Sequence, residues 1–143
     1  MSTDEATLGD LVVRTARVLR RSHREALEPY GLSPHQSRAI AAIGRHEGTG
    51  LRLSALATEL GIAPRSATDV VDALQTQGLV QRTASVIDRR AIDLRLTEEG
   101  LRLRRTLDQA HVAISRAHFA TLSEQDRDTL AQLLRSALDT TTG

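Results

Sequence analysis

Three groups of residues in this chain could do chemistry. They are a polar helix face around Arg65, an acid–arginine cluster at Asp88-Arg89-Arg90, and five histidines. From Pro64 onward, Ala67, Val70, Val71 and Leu74 fall at i, i+3, i+4 and i+7, which predicts a helix with one apolar stripe. Its opposite face carries Arg65, Ser66, Thr68, Asp69 and Asp72. Arginine, serine and threonine can bond to the edges of DNA bases, and an aspartate can accept from a cytosine amino group. Pro64 suits the first helical position, where its missing N–H is not needed. The second group stands between two stretches of strand-like alternation. There Arg89 and Arg90 could reach phosphates or a narrow minor groove. Asp88, two residues before Arg90, could hold that guanidinium in one orientation. The candidate DNA-binding set is therefore Pro64, Arg65, Ser66, Thr68, Asp69, Asp88, Arg89 and Arg90.

The histidines are His23, His35, His46, His111 and His118. His111 and His118 share a helix face but stand about 10.5 Å apart along the axis, too far to hold one ion together. They read as surface or partly buried structural residues, and no metal site is expected. The chain has no cysteine, which excludes disulfides and thiolate ligands. It also lacks a glycine-rich phosphate loop and a His-Glu-x-x-His pair. Ser33, Ser54 and Ser123 each stand where a helix would be capped. No enzyme and no cofactor are expected. All 19 basic residues are arginine and the net charge is +1, so well-placed guanidinium groups rather than a strong overall field would have to attract a polyanion. One tyrosine and one phenylalanine leave almost nothing to stack on unpaired bases.

Several elements must hold these residues. Leu8, Leu11, Val12, Ala16, Leu19, His23, Ala26, Leu27 and Tyr30 predict a long first helix, about Thr7 to Pro29, ended by Gly31. Arg14, Arg17, Arg20, Arg21 and Arg24 lie on its other faces, as a solvated surface or as a subunit or ligand contact. Ser33-Pro34-His35-Gln36 opens a second helix with a capping box. Gly44 weakens that helix, and Gly48-Thr49-Gly50 ends it. Leu51-Arg52-Leu53 reads as a short third strand. Ser54 is expected to cap the next helix, whose inner face is Leu56, Ala57 and Leu60. Gly61 turns the chain toward Pro64. Two such helices occur in many proteins, but here Leu79–Arg82 and Ala91–Leu96 alternate with period two around the Asp88 cluster. A ribbon directly after a helix-turn-helix makes a winged helix. Thr97 then caps a long helix to about Thr121, with Glu98 and Glu99 at its positive end. Ser123 opens a last helix with Leu130, Leu133, Leu134, Ala137 and Leu138 on one stripe.

The sequence Asp88-Arg89-Arg90, then Leu94, then Leu96-Thr97-x-x-Gly100, resembles the signature of the MarR family of bacterial transcription regulators. Gly78-Leu79-Val80 and Leu60-Gly61-Ile62 fit the same family. The resemblance covers most of the chain and implies a dimeric regulator with interleaved terminal helices. It assigns Arg90 to the minor groove and Asp88 to a bracing role. It also implies a small anionic or phenolic effector, bound between the dimerisation helices and the DNA-binding lobe. The scarcity of aromatics would make such a pocket aliphatic, and thiol-based sensing of peroxide, used by some relatives, is excluded. Asp69, Ala63 before Pro64, and the apolar pair Val86-Ile87 depart from the family pattern.

Together these readings give a mainly α fold with a small antiparallel β wing. We expect one MarR-type domain over 1–143, with a winged helix-turn-helix lobe at about 33–97 and dimerisation helices at about 5–30 and 98–140, within the usual domain size. The expected function is a sequence-specific DNA-binding transcription regulator, a homodimeric repressor on a palindromic operator of double-stranded DNA, relieved by a small molecule. The alternative is a winged-helix protein-interaction module without DNA binding, suggested by the near-neutral charge and Asp69. No run of apolar residues is long enough to span a membrane, and the acidic start, Met1 to Thr7, lacks the layout of a signal peptide. A cytoplasmic location with no membrane partner is therefore expected.

Overall fold

The computed structural model describes residues 6–140. Glu5, where the first dimerisation segment is expected to start, and Met1–Asp4 of the acidic start lie outside them. The first helix, α1 (Leu8–Leu27), starts at a reciprocal cap in which Thr7 accepts from the Asp10 N–H and Asp10 accepts from the Thr7 N–H. It ends two residues before the expected Pro29 and passes into a 3-10 turn, Glu28–Tyr30, because a proline ring clashes with the preceding turn of an α-helix. The second helix, α2 (Pro34–Arg45), opens on the capping box read from Ser33 and Gln36.

The short helix α3 (Leu53–Leu60) and the longer α4 (Pro64–Thr76) form the helix-turn-helix. Gly61 between them has φ +64°, a left-handed conformation that costs other residues strain. Two expectations fail just before α3. Ser54 caps nothing: the helix begins at Leu53, and Arg52 holds the cap position without a side-chain bond. Leu51-Arg52-Leu53 is not a strand either. Leu51 alone makes an antiparallel bridge, donating to and accepting from Leu94. Leu53 packs against the core from inside the helix, which commits its backbone to helical rather than sheet bonds.

The wing is a two-stranded antiparallel sheet of β1 (Val80–Ala84) and β2 (Ile92–Leu96), with Val80 opposite Leu96 and Ala84 opposite Ile92. Its base is buried through Val80, Leu94 and Leu96, while Ile92, nearer the tip, is exposed. After it come α5 (Glu98–His118), which stops three residues short of the expected Thr121, and α6 (Glu124–Asp139), capped by Ser123.

One core joins the lobe: Ile40 and Ile43 from α2, Leu56 from α3, Val71 and Leu74 from α4, and Val80 and Leu94 from the sheet. The joint between wing and α5 explains the spacing of the motif there. Thr97 Oγ accepts from the Gly100 N–H at 3.1 Å, which caps α5, and its own hydrogen goes to the Gly78 carbonyl at 2.6 Å. The Thr97 N–H donates to the Leu79 carbonyl. Gly100 sits so close to that carbonyl that a Cβ would collide with it. Gly78-Leu79 and Thr97-x-x-Gly100, separate in sequence, are thus the two halves of one contact.

Candidate nucleic-acid interface

The inward stripe of α4 falls where its spacing predicts: Ala67, Val71 and Leu74 are buried. Pro64, Arg65, Ser66 and Asp69 are exposed on the other side. Thr68 is half-buried, and its hydroxyl donates to the Pro64 carbonyl at 3.1 Å. The outward Asp72 is engaged, accepting from Arg82 Nη2 at 2.8 Å, and Arg82 also donates to Gln75. Arg82 stands on β1, so this pair ties the wing to α4 and fixes one against the other. Nothing in the sequence pattern assigns Arg82 such a role.

At the wing tip, Ser85 is 4% exposed and its Oγ accepts from the N–H groups of both Ile87 and Asp88 at 3.3 Å. The Ala91 N–H closes a turn onto the Asp88 carbonyl at 2.9 Å, with Arg89 and Arg90 at its two central positions. Here the structure corrects a detail. The Asp88 carboxylate does not hold the Arg90 guanidinium; its Oδ1 accepts from the Arg90 backbone N–H at 3.1 Å. This is the short loop an aspartate makes with an amide two residues on. It shapes the tip and leaves both guanidinium groups free. Among the described residues, the side chains of Arg65, Arg89 and Arg90 make no ion pair and no hydrogen bond. The other arginines of the lobe differ. Arg38 donates to the Leu60 carbonyl, Arg45 to Glu59, Arg52 to buried Asp93, and Arg82 to Asp72. Val86 and Ile87 are 84% and 82% exposed beside the two tip arginines.

Behind the lobe, α1, α2 and α5 enclose a cavity of about 500 Å³. Leu27, Ile40, Leu107 and Ile114 give it an aliphatic floor, and Arg20, Arg24, Arg38 and Arg104 surround it. His23 of α1 and His111 of α5 stack there, with ring centres 4.5 Å apart and planes 18° from parallel. Spacing along α5 groups His111 with His118. The partner of His111 is instead on another helix, and His118 meets Phe119 edge-on. Gly44, read as a weak point of α2, is where Arg104 lies against the helix: a Cβ there would stand 2.5 Å from Arg104 Nη1. Among the described residues no group of three His, Cys, Asp or Glu side chains could hold a metal ion.

Comparison with known proteins points one way. The sequence model of the MarR family matches residues 30–91. An HTH-type transcriptional repressor of Mycobacterium bovis, Mb2911, is 32% identical over 97 residues, covering 68% of each chain. The HTH-type transcriptional repressor MdtR of Bacillus subtilis is 36% identical over 76 residues, 53% of this chain and 48% of that protein, so the match spans about half of the relative. Among solved structures, CouR of Rhodococcus jostii bound to p-coumaroyl-CoA superposes with a TM-score of 0.77 at 27% identity, over 97% of this chain and 92% of that one.

Proposed function

Because the chain belongs to the MarR family of winged helix-turn-helix transcription regulators, we propose that it is a homodimeric repressor that binds a palindromic operator and is released by a small molecule. In this reading the lobe at residues 33–97 binds DNA and the terminal helices form the dimer. Helix α4 enters the major groove with Arg65, Ser66, Thr68 and Asp69, and Pro64 opens it. The wing carries Arg89 and Arg90 to the backbone and the minor groove, with Asp88 shaping the tip. One observation carries the assignment. The arginines that hold the lobe together are paired, while those on its two outward projections, Arg65 on α4 and Arg89 and Arg90 on the wing, are free. Unpaired guanidinium groups on a helix and an adjacent wing suit a duplex, where phosphates fix position and base edges give sequence preference.

The dimer reading rests on apolar side chains that a single chain leaves open. Leu8, Leu133 and Leu138 are 78%, 63% and 69% exposed, on helices outside the lobe. The effector reading rests on the cavity between α1, α2 and α5. Among the described residues no helix is long and apolar enough to cross a membrane, and we place the protein in the cytoplasm with its DNA, as a regulator and not an enzyme.

Selection of bound sequences from random duplex DNA tests the proposal. A palindromic motif should emerge, and Ser66→Ala should relax the preference at particular positions by roughly 1–3 kcal/mol for each base edge it no longer reads. Recovery of no motif, with the same weak affinity for all duplexes, would favour the protein-interaction module instead.

A further inference from the structure

Val86 and Ile87 stand at the wing tip, and among the described residues no other large hydrophobic side chain is more exposed. Neither belongs to the core of the lobe. One exposed valine needs no explanation, but an apolar pair at the end of a projecting ribbon does. The tip is not a loose loop. The Ser85 N–H donates to the Ala91 carbonyl at 2.9 Å and closes its base. Ser85 Oγ accepts from the Ile87 and Asp88 N–H groups, and the Asp88 carboxylate accepts from that of Arg90. These bonds hold residues 86–90 in one conformation without covering either apolar side chain. The ribbon itself is anchored, because Arg82 of β1 meets Asp72 of α4 at 2.8 Å. The tip therefore keeps a set position beside α4. Arg89 and Arg90 follow the pair directly after Asp88, and among the described residues their side chains make no ion pair and no hydrogen bond. An apolar end with two free cations matches a surface that has an apolar strip between anionic rims. The minor groove of a duplex is such a surface, with phosphates along its edges and sugars and stacked bases between them. A leucine face of a second copy offers the strip alone. The exposed face of α4 beside the tip, with Arg65, Ser66 and Asp69, is too polar to continue an apolar contact.

We propose that Val86 and Ile87 form an apolar wedge that enters the minor groove with Arg90, parts a base step there and bends the duplex toward the major groove. The inference rests on the operator reading above. It adds a deformation of the DNA and a sequence preference at base pairs that α4 does not touch. Aliphatic side chains inserted in this way unstack a step and kink the duplex by about 20–90°. Both residues are β-branched and stiff at χ1, and their turn is already pinned, so little freedom is lost on entry. The cost of parting a step depends on its sequence. TA and CA/TG steps open easily, whereas an A-tract is stiff. The wedge thus selects by deformability, without a hydrogen bond to any base edge. Arg89 and Arg90 hold the tip against the phosphates while the step opens. In the proposed homodimer each half-site receives one wedge.

The test compares the full chain with its Val86→Ser, Ile87→Ser double variant. Selection from random duplex DNA with wild type should recover a pyrimidine–purine step in each half-site, at a position that Ser66→Ala leaves unchanged. Replacing that step by the middle of an A-tract should weaken wild-type binding about tenfold, within the range of one mismatched base pair. Energy transfer between dyes at the two ends of the duplex should report a bend that the replacement reduces. The double variant should fold and sediment as wild type does, since neither side chain is part of the core. It should recover the rest of the motif, bind the two duplexes almost equally and leave both straighter. A wild-type motif without such a step, or a double variant that bends DNA and prefers the step as wild type does, would overturn the wedge and leave the operator reading standing. A double variant of half the wild-type mass would assign the pair to a contact between copies and would overturn the wedge as well. Recovery of no motif by wild type would overturn the operator reading on which the wedge rests.

Discussion

Asp88 and Arg90 show how a single hydrogen bond changes what a variant should do. If the carboxylate met the guanidinium, Asp88→Ala would free a cation and remove an acid near DNA. Because it instead fixes the Arg90 backbone amide, its loss loosens the turn that presents both arginines. Binding then costs more ordering entropy. Asp88→Ala should therefore weaken operator binding, although simple electrostatics predicts the reverse. Its salt dependence should match that of wild type, because every phosphate-neutralising cation is still present. Arg90→Ala should weaken binding and reduce the slope of log affinity against log salt by about 1, the share of one phosphate-neutralising cation. Titrating operator DNA with the three proteins at several salt concentrations distinguishes these outcomes. Tighter binding by Asp88→Ala would remove the aspartate from the tip's shaping role.

At the scale of elements, the joint between the wing and α5 is the place to probe. Gly100→Ala gains about 1 kcal/mol of helix propensity. Against this, its Cβ meets the Leu79 carbonyl, which is backbone and cannot rotate aside. Overpacking of this kind costs roughly 1–3 kcal/mol. A net loss of stability is expected in thermal unfolding, whereas a Gly100→Ala protein as stable as wild type would show that the contact relaxes freely. Thr97→Val should lose about 1 kcal/mol from the cap and a similar amount, about 1, from the bond to the Gly78 carbonyl. The lobe should also tilt relative to α5, since these bonds connect them. Arg82 plays the matching part on the other side of the lobe, where it links the wing to α4.

For the whole molecule, the proposed homodimer would bury the exposed leucines of the terminal helices. Sedimentation at micromolar concentration should give twice the chain mass. Leu133→Asp with Leu138→Asp should give a folded monomer, because neither side chain is part of the lobe core. That monomer should bind a half-site weakly and lose the palindromic preference, as two recognition helices must be held about one DNA turn apart. A wild-type monomer at that concentration would sink the dimeric repressor.

What the sequence determined by itself was local and periodic. The stripe of Ala67, Val71 and Leu74 and the caps at Thr97 and Ser123 depend on residues a few positions apart, and all stand as their spacing implies. The wing was legible because its strands alternate in period two on either side of the Asp88-Arg89-Arg90 cluster. What only the tertiary structure decided involves partners far apart in the chain. Ser54 looked like a cap, but α3 starts two residues earlier than such a cap would allow, with Leu53 packed inward. Leu51 met a single residue of β2 rather than a strand's length of it. Asp93 alternates as an outward residue, yet it is buried beside Gly50 and paired with Arg52. The cavity was least visible of all. Its histidines come from α1 and α5, its floor from three helices, and the lack of a hydrogen-bond partner at His23 Nε2 and Arg104 Nε depends on how those helices pack. Periodicity reports which face of an element is turned inward; it does not report which other element that face will meet.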